Sequence, residues 1–427
     1  MKFTAVGDAL MQRRMPKDYK GFQEVRDYIG RGDFRFCNLE TTLNREGECY
    51  ASQYSGGTWL RADPEILEDI RAYGFNVLSF NNNHTMDYGY NGLLKTLEAV
   101  RNYGFVNSGV GENLSRAAAP AYLDTPKGRV AIISVVSTFH PASMAGEQGR
   151  RVPGRPGVNG LHVSTRYIVR PEQLEMIRTV AAATGVNVQN DIERAEGYYP
   201  PLPEGCAAFG DLLFEVGETP GIRETICEAD MNRVEKAIYE AQFQADYIMV
   251  SLHAHECKGE KVQLADFIPE FARRCIDSGA HGVIGHGPHL LRGVEVYKNR
   301  PIFYSLGDFM TQVESGSFAP EDFYAKYGLT SDATMHELFK TRSHDFTLGL
   351  MTKRECFETV IPLWEMENGE LTHLELMPLE MGFELPRSQS GFPVPAKGTA
   401  ILEHLADISK PFGTEMKIEK GIAVIRL

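Results

Sequence analysis

The sequence predicts an α/β fold. Three observations carry that prediction: short apolar runs alternate with amphipathic stretches of helical period, the apolar runs are enriched in β-branched residues, and run after run ends in Asp, Glu, Asn or His. In open α/β sheets ligand sites gather outside the carboxyl ends of the strands, so the polar endings bear on function as well as on fold.

Taken in order, "KFTAVGDAL" reads as a first strand, residues 20–30 as a helix and "FRFCNLETTL" as a second strand. "DPEILEDIRAYG" is a helix with Asp63 as N-cap, Pro64 at its first position and Gly74 beyond its end. "FNVLSF" follows as a third strand, then the helix "NGLLKTLEAVRNYG", the short strand "FVNSGV" and the long apolar strand "RVAIISVVSTF". From His140 to about Asp230 the rhythm breaks into a Gly-, Pro- and Arg-rich insertion with its own helix at 171–182. Residues 150–170 hold five arginines and no acid, which suits either a solvated loop or a lid that attracts carboxylates. Regularity returns with the helix "NRVEKAIYEAQFQ", the strand "DYIMVSLHAHE", the helix "ADFIPEFARRCIDSG" and the strand "HGVIGHGPHLL". "RGVEVYKNRPIFYSLGDFM" is a hairpin, and residues 311–345 are a second irregular insertion. The closing part, 355–427, reads as a hairpin turning at "ENGE", a helix and a last strand, "KIEKGIAVIRL".

Composition narrows the function. The chain has 427 residues, 43% hydrophobic and 24% charged, which suffices for one large domain or two ordinary ones. A net charge of -13 argues against broad nucleic-acid binding, which needs dense Lys and Arg against phosphates. The first residues, "MKFTAVGDALMQRRM", do not read as a signal peptide, and no run of about 18 apolar residues suggests a transmembrane segment. Seven scattered cysteines without a CxxC pair argue against a disulfide scaffold, so a cytoplasmic location is expected.

Six strand-like runs end in "AVGDA", "FCNLE", "SFNNNH", "VSLHAHE", "VIGHGPH" and "YSLGDF". Convergence of these endings would gather Asp8, Glu40, Asn83, His84, His253, His255, His286, His289 and Asp308. Such a mixed O/N set suits divalent ions of the Zn, Mn or Fe kind, because a cation relieves the repulsion between carboxylates while neutral imidazoles supply lone pairs. Singly, each has a bland explanation. Asp8 after Gly7 suits a turn or helix N-cap, and Asn81 and Asn82 suit a turn. His255 and Glu256 suit outlying or surface positions, His281 a structural one, and His140 and His162 lie in the insertion. His336, His344, His373 and His404 have no motif around them. The strongest single piece is "GHGPH", two histidines three apart in a strand-end loop; the joint occurrence is what points to a site.

In this order, "GDAL", "NLETTL", "NNHTMDYG", "SLHAHE" and "GHGPHLLRGVEVYKNRPIFYSLGDF" resemble the CapA family of bacterial capsule-synthesis (poly-γ-glutamate) proteins, itself similar in fold to the calcineurin-like metallophosphoesterases. The resemblance runs over residues 1–310 and the closing strands. It implies one domain over 1–427, a four-layer α/β/β/α sandwich with a metal site at one edge of its two sheets, 140–230 as an insertion or lid, and 355–427 completing the fold. Position by position, it implies that Asp8, Glu40, Asn83, His253, His286 and His289 hold one or two divalent ions, with Glu40 able to bridge two. His84 would be a catalytic acid or orienting group, Asp87 would hold its imidazole, and His286 would be a second proton carrier. Two departures from the phosphoesterase pattern stand out: "DAL" where Asp-x-His is usual, and "GHGPH" where Gly-His-x-His is usual. The implied function is a metal-dependent, hydrolase-like enzyme acting on poly-γ-glutamate or an anionic peptide-like substrate, with Arg150, Arg151 and Arg155 binding its carboxylates. A peptide epimerase, a phosphoesterase and a non-catalytic polymer-binding accessory subunit are the alternatives.

Overall fold

Parallel strands need crossovers, and the first hundred residues supply them. In the computed structural model, which describes residues 1–17 and 19–427, strands Lys2–Leu10, Phe34–Leu39, Val77–Ser79 and Val106–Ser108 pair in parallel, with helices Phe22–Ile29, Ile66–Ala72 and Gly89–Asn102 between them. On the other side of Lys2–Leu10 the sheet continues antiparallel through Glu358–Glu367, Glu370–Glu380, Ile422–Ile425 and Met416–Glu419, while Asp308–Thr311 also pairs with Lys2–Leu10. A second sheet has the order Leu291–Tyr297, Arg300–Leu306, Gly282–His286, Tyr247–His253, Gly128–Val136 and Ala121–Thr125.

The two sheets share an apolar interior. Phe3, Phe34, Phe36 and Trp364 of the first meet Ile132, Met249, Ile284 and Phe303 of the second, and helix Ala400–Ser409 adds Ile401, Leu402 and Leu405. The opposite face of the first sheet, through Val6, Cys37, Leu39 and Leu78, packs on Val25, Ile29, Ile70, Leu93 and Leu97 of its helices. In the second sheet the alternate residues Ile133, Val135, Ile248 and Val250 are buried as well. Alternate residues of a strand face opposite ways, so this sheet is covered on both faces, the outer cover being the crossover helices Glu228–Gln242 and Phe267–Asp277. The architecture is an α/β/β/α sandwich.

The chain divides into two compact units, the second being His162–Glu228 with Ala265–Phe267. Besides helices Pro171–Thr184 and Val188–Ala195, this unit contains a four-stranded sheet in the order Cys206–Phe209, Leu212–Val216, Val163–Val169, Gly221–Ile226. The sequence points only to the first helix, because strands such as "GIRETI" are largely exposed and show little apolar alternation. Three further local readings differ. "KIEKGIAVIRL" is a hairpin, Met416–Glu419 and Ile422–Ile425, turning on Lys420 and Gly421 at φ 50 and 80. Residues 311–345 contain helices Glu321–Ala325 and Met335–Arg342. The helix expected from Asp63 begins at Ile66, and the Asp63 carboxylate accepts from Arg61 instead of capping it.

Candidate metal centre

Asp8 lies within the first strand, not in a turn after it. It sits opposite Asp308 on one neighbouring strand and Asn38 on the other, and the register shifts beside it in both ladders, which re-aims side chains at that point. Gly7 makes the approach possible: a Cβ there would fall 1.8 Å from the Gly307 carbonyl oxygen, the group that accepts the Asp8 N–H at 3.0 Å. Glu40 follows strand Phe34–Leu39, and Asn83, His84 and Asp87 occupy the turn after Val77–Ser79. His253 and His286 end adjacent parallel strands in register. His289 has φ 62, a left-handed conformation costing on the order of 1 kcal/mol for a residue with a Cβ, and its Nδ1 lies 2.9 Å from Asp308 Oδ1.

Around Asp8, Oδ1 accepts from Asn38 Nδ2 at 2.7 Å and Oδ2 from the Gly287 N–H at 2.7 Å. His286 Nδ1 is 3.3 Å and His253 Nδ1 3.6 Å from Asp8 Oδ1, and the two ring nitrogens are 2.9 Å apart. His286 Nε2 faces Ser251 Oγ at 2.8 Å. On its other edge, His253 Nε2 is 2.8 Å from Asn83 Oδ1, 3.0 Å from His255 Nε2 and 3.7 Å from Glu40 Oε1. His84 is held through Nδ1 by Asp87 at 2.7 Å, which leaves its Nε2 3.8 Å from Glu40 Oε1.

Glu40 provides the test of whether a cation fits. It is 0% exposed, and neither carboxylate oxygen has a hydrogen-bond partner among the described residues. Burial, then the charges of Asp8, Asp308 and Asp87, push its carboxyl well above the usual range. Asp308 Oδ2 is likewise buried without a hydrogen-bond partner among the described residues, and burial lifts this carboxyl to about 6 against the pull of His289 and Thr311. Burial takes His253 down to about 4 against Asp8, and takes His255 well below the ordinary histidine value, so both present lone pairs near neutral pH. His289 moves the other way: burial lowers it, but Asp308 and Asp8 together raise it above the ordinary value. Burial opposes charge on Asp8, yet its contacts with His253 and His286 hold it well below the carboxylate norm. Acceptors outnumber donors here, and three sets of donor atoms converge closely enough for metal binding: Asp8 with His253 and His286, Glu40 with His253 and His255, and Asp8 with His289 and Asp308. The residues fit a divalent cation.

Asp8, Glu40, Asn83, His84, Asp87, His253, His286 and His289 are therefore neighbours, with Asp308 and His255 among them. Asn38 and Ser251 join them although the sequence reading does not single them out; their signal is a polar residue between apolar neighbours near the end of a strand, in "FRFCNL" and "YIMVSLH". Arg150, Arg151 and Arg155 are exposed. Arg155 Nε donates to the Met144 carbonyl, and no hydrogen bond links any of the three arginines to the cluster among the described residues.

Residues 2–313 match the family described as bacterial capsule synthesis protein PGA_cap. The chain belongs to that family. A relative in Sinorhizobium fredii (strain NBRC 101917 / NGR234), described as uncharacterized protein y4sH, is 30% identical over 437 residues, covering 99% of this chain and 92% of the relative. The PGA biosynthesis protein CapA of Bacillus subtilis (strain 168) is 24% identical over 384 residues, covering 86% and 80%. Among solved structures, a 5'-nucleotidase precursor from Thermus thermophilus superposes with a TM-score of 0.36 at 11% identity, covering 96% of this chain and 58% of that one.

Proposed function

We propose that this member of the capsule synthesis family is a metal-dependent enzyme acting on poly-γ-glutamate or a similar anionic peptide-like polymer. The observation that supports this most is the buried Glu40 carboxylate, which has no donor among the described residues and stands among imidazoles. Asp8, Glu40, Asn83, His253, His286, His289 and Asp308 are the donors available to hold one or two ions of Mn, Zn or Fe. When bound, such an ion supplies Lewis acidity, polarising a carbonyl oxygen or making water more acidic.

The remaining work falls to the protein. Asp87 fixes the His84 ring through Nδ1, so that Nε2 is the atom that gives or takes a proton beside Glu40. Asp87 is itself held by the N–H groups of Gly56 and Leu60, at 3.0 and 2.8 Å. Arg150, Arg151 and Arg155 would receive carboxylates of the polymer outside the metal centre.

Elemental analysis of the purified protein, thermal melts with added Mn or Zn, and release of glutamate from poly-γ-glutamate form the test. Bound metal, a raised melting temperature and polymer cleavage are expected; no metal uptake and no thermal shift would sink the reading. His84→Ala should keep the metal and the affinity for polymer while losing turnover. A wild-type protein that binds metal and polymer but turns nothing over would instead be an accessory subunit.

A further inference from the structure

We propose that His255, not His286, completes a four-donor cation position with Glu40, Asn83 and His253. This rests on the metal-dependent reading above and assigns the position its ligands. His253 Nε2 lies 3.0 Å from His255 Nε2, 2.8 Å from Asn83 Oδ1 and 3.7 Å from Glu40 Oε1. Hydrogen bonds alone do not account for this meeting point. The Asn83 and Glu40 oxygens only accept when Glu40 is ionised, and two neutral imidazoles facing each other through Nε2 can form one bond between them and still leave Glu40 unserved. A divalent ion of the Zn or Mn kind takes a lone pair from each of the four, and imidazole, amide oxygen and carboxylate all suit it.

His286 is placed differently. Its Nδ1 faces His253 Nδ1 and Asp8, its Nε2 faces Ser251 Oγ, and both Asp8 oxygens already accept N–H groups, from Asn38 and from Gly287. It thus touches the Nδ1 edge of His253 and fixes the ring whose Nε2 edge meets His255. An imidazole that holds a metal through one nitrogen commonly has its other nitrogen held in this way.

The loop bearing His255 is also fixed at its main chain. The His255 N–H donates to Thr138 Oγ1 at 2.8 Å. Arg292, fully buried, donates its guanidinium N–H groups to carbonyls of Ala254, His255, Glu256 and Lys261 at 3.4, 3.4, 2.8 and 2.9 Å. A buried guanidinium bonded, among the described residues, to carbonyls alone is costly to desolvate, and here it pins the segment that aims His255. His253 and His255 stand two apart, as two side chains on one side of an extended segment do.

Cobalt(II) supplies a readout independent of activity. In His255→Cys loaded with Co(II), a near-ultraviolet thiolate-to-cobalt charge-transfer band should appear in the difference spectrum against wild type. In parallel, His255→Ala should lose one bound Co(II) or weaken its binding at least tenfold, while circular dichroism reports that the variant remains folded. The proposal is overturned by the absence of that band in His255→Cys, or by a folded His255→Ala with wild-type cobalt stoichiometry and affinity. If the wild-type protein binds no cobalt, the metal-dependent reading falls with it; if it binds cobalt and only the His255 variants disagree, this assignment falls alone.

Discussion

Asp87 shows how much one side chain can decide. Its carboxylate is fully buried and accepts from two main-chain N–H groups while facing His84 Nδ1, and burial raises its pKa against these partners. Asp87→Asn keeps the volume but places an amide where acceptors are needed, freeing the His84 ring to turn. Turnover should fall by about 100-fold or more with metal content unchanged, as steady-state kinetics and elemental analysis would show. His281 acts on stability instead. Its Nδ1 accepts the Ile248 N–H at 3.1 Å, and burial lowers its pKa to about 4. The unfolded chain therefore protonates first, so stability present above the unfolded value of about 6.5 is lost as pH falls toward 4, by about 3 kcal/mol at most. His281→Gln should show a smaller loss between pH 7 and pH 4.5 in denaturant titrations; equal losses in both proteins would refute this.

At the scale of elements, the segment Tyr50–Leu60 is a strap over the His84 turn. Ser52 N–H bonds the Asp87 carbonyl, the Gly56 carbonyl accepts from Asn83, and Trp59 Nε1 returns to the Ser52 carbonyl. A Cβ on Gly56 would lie 2.7 Å from His84 Nε2 and 2.6 Å from Asn83 Nδ2. Gly56→Ala should displace the ring or the strap and lower kcat at least tenfold, while the melting temperature shifts by only about 2–4 °C; unchanged kinetics would show that the strap yields freely. The strap is silent in the sequence because "YSGGTW" looks like any polar loop. By contrast, the endings of buried strands are legible, since a strand covered on both faces reads as an apolar run and makes Asp8, Glu40 or His253 conspicuous. Asn38 and Ser251 escape notice inside those runs, and His255 reads as an outlying residue because what fixes it, Arg292 and Thr138, lies far away in sequence. The small sheet over Val163–Ile226 escapes for the opposite reason: half-exposed strands carry no clear period.

For the whole molecule, the interior between the sheets carries the stability on which the centre depends. Trp364 is fully buried, stacks on Phe3 at 5.3 Å and 13°, and meets Phe303 at 5.3 Å. Trp364→Ala would leave a cavity spanning both sheets and should cost about 3–5 kcal/mol, read as a lower urea midpoint. The strand Lys2–Leu10 has a further bearing, on the order in which the protein is made. Its partners include residues 34–39, but also 308–311 and 358–367, and Gln12 next to it bonds Gln312 across 300 residues. Closing so long a loop is slow, so the carboxylates of Asp8 and Glu40 emerge from the ribosome long before Asp308, His289 and the second sheet exist to surround them. The centre is then completed late, and a fragment ending before Tyr247, which lacks His253, His255, His286 and His289, should take up no metal there.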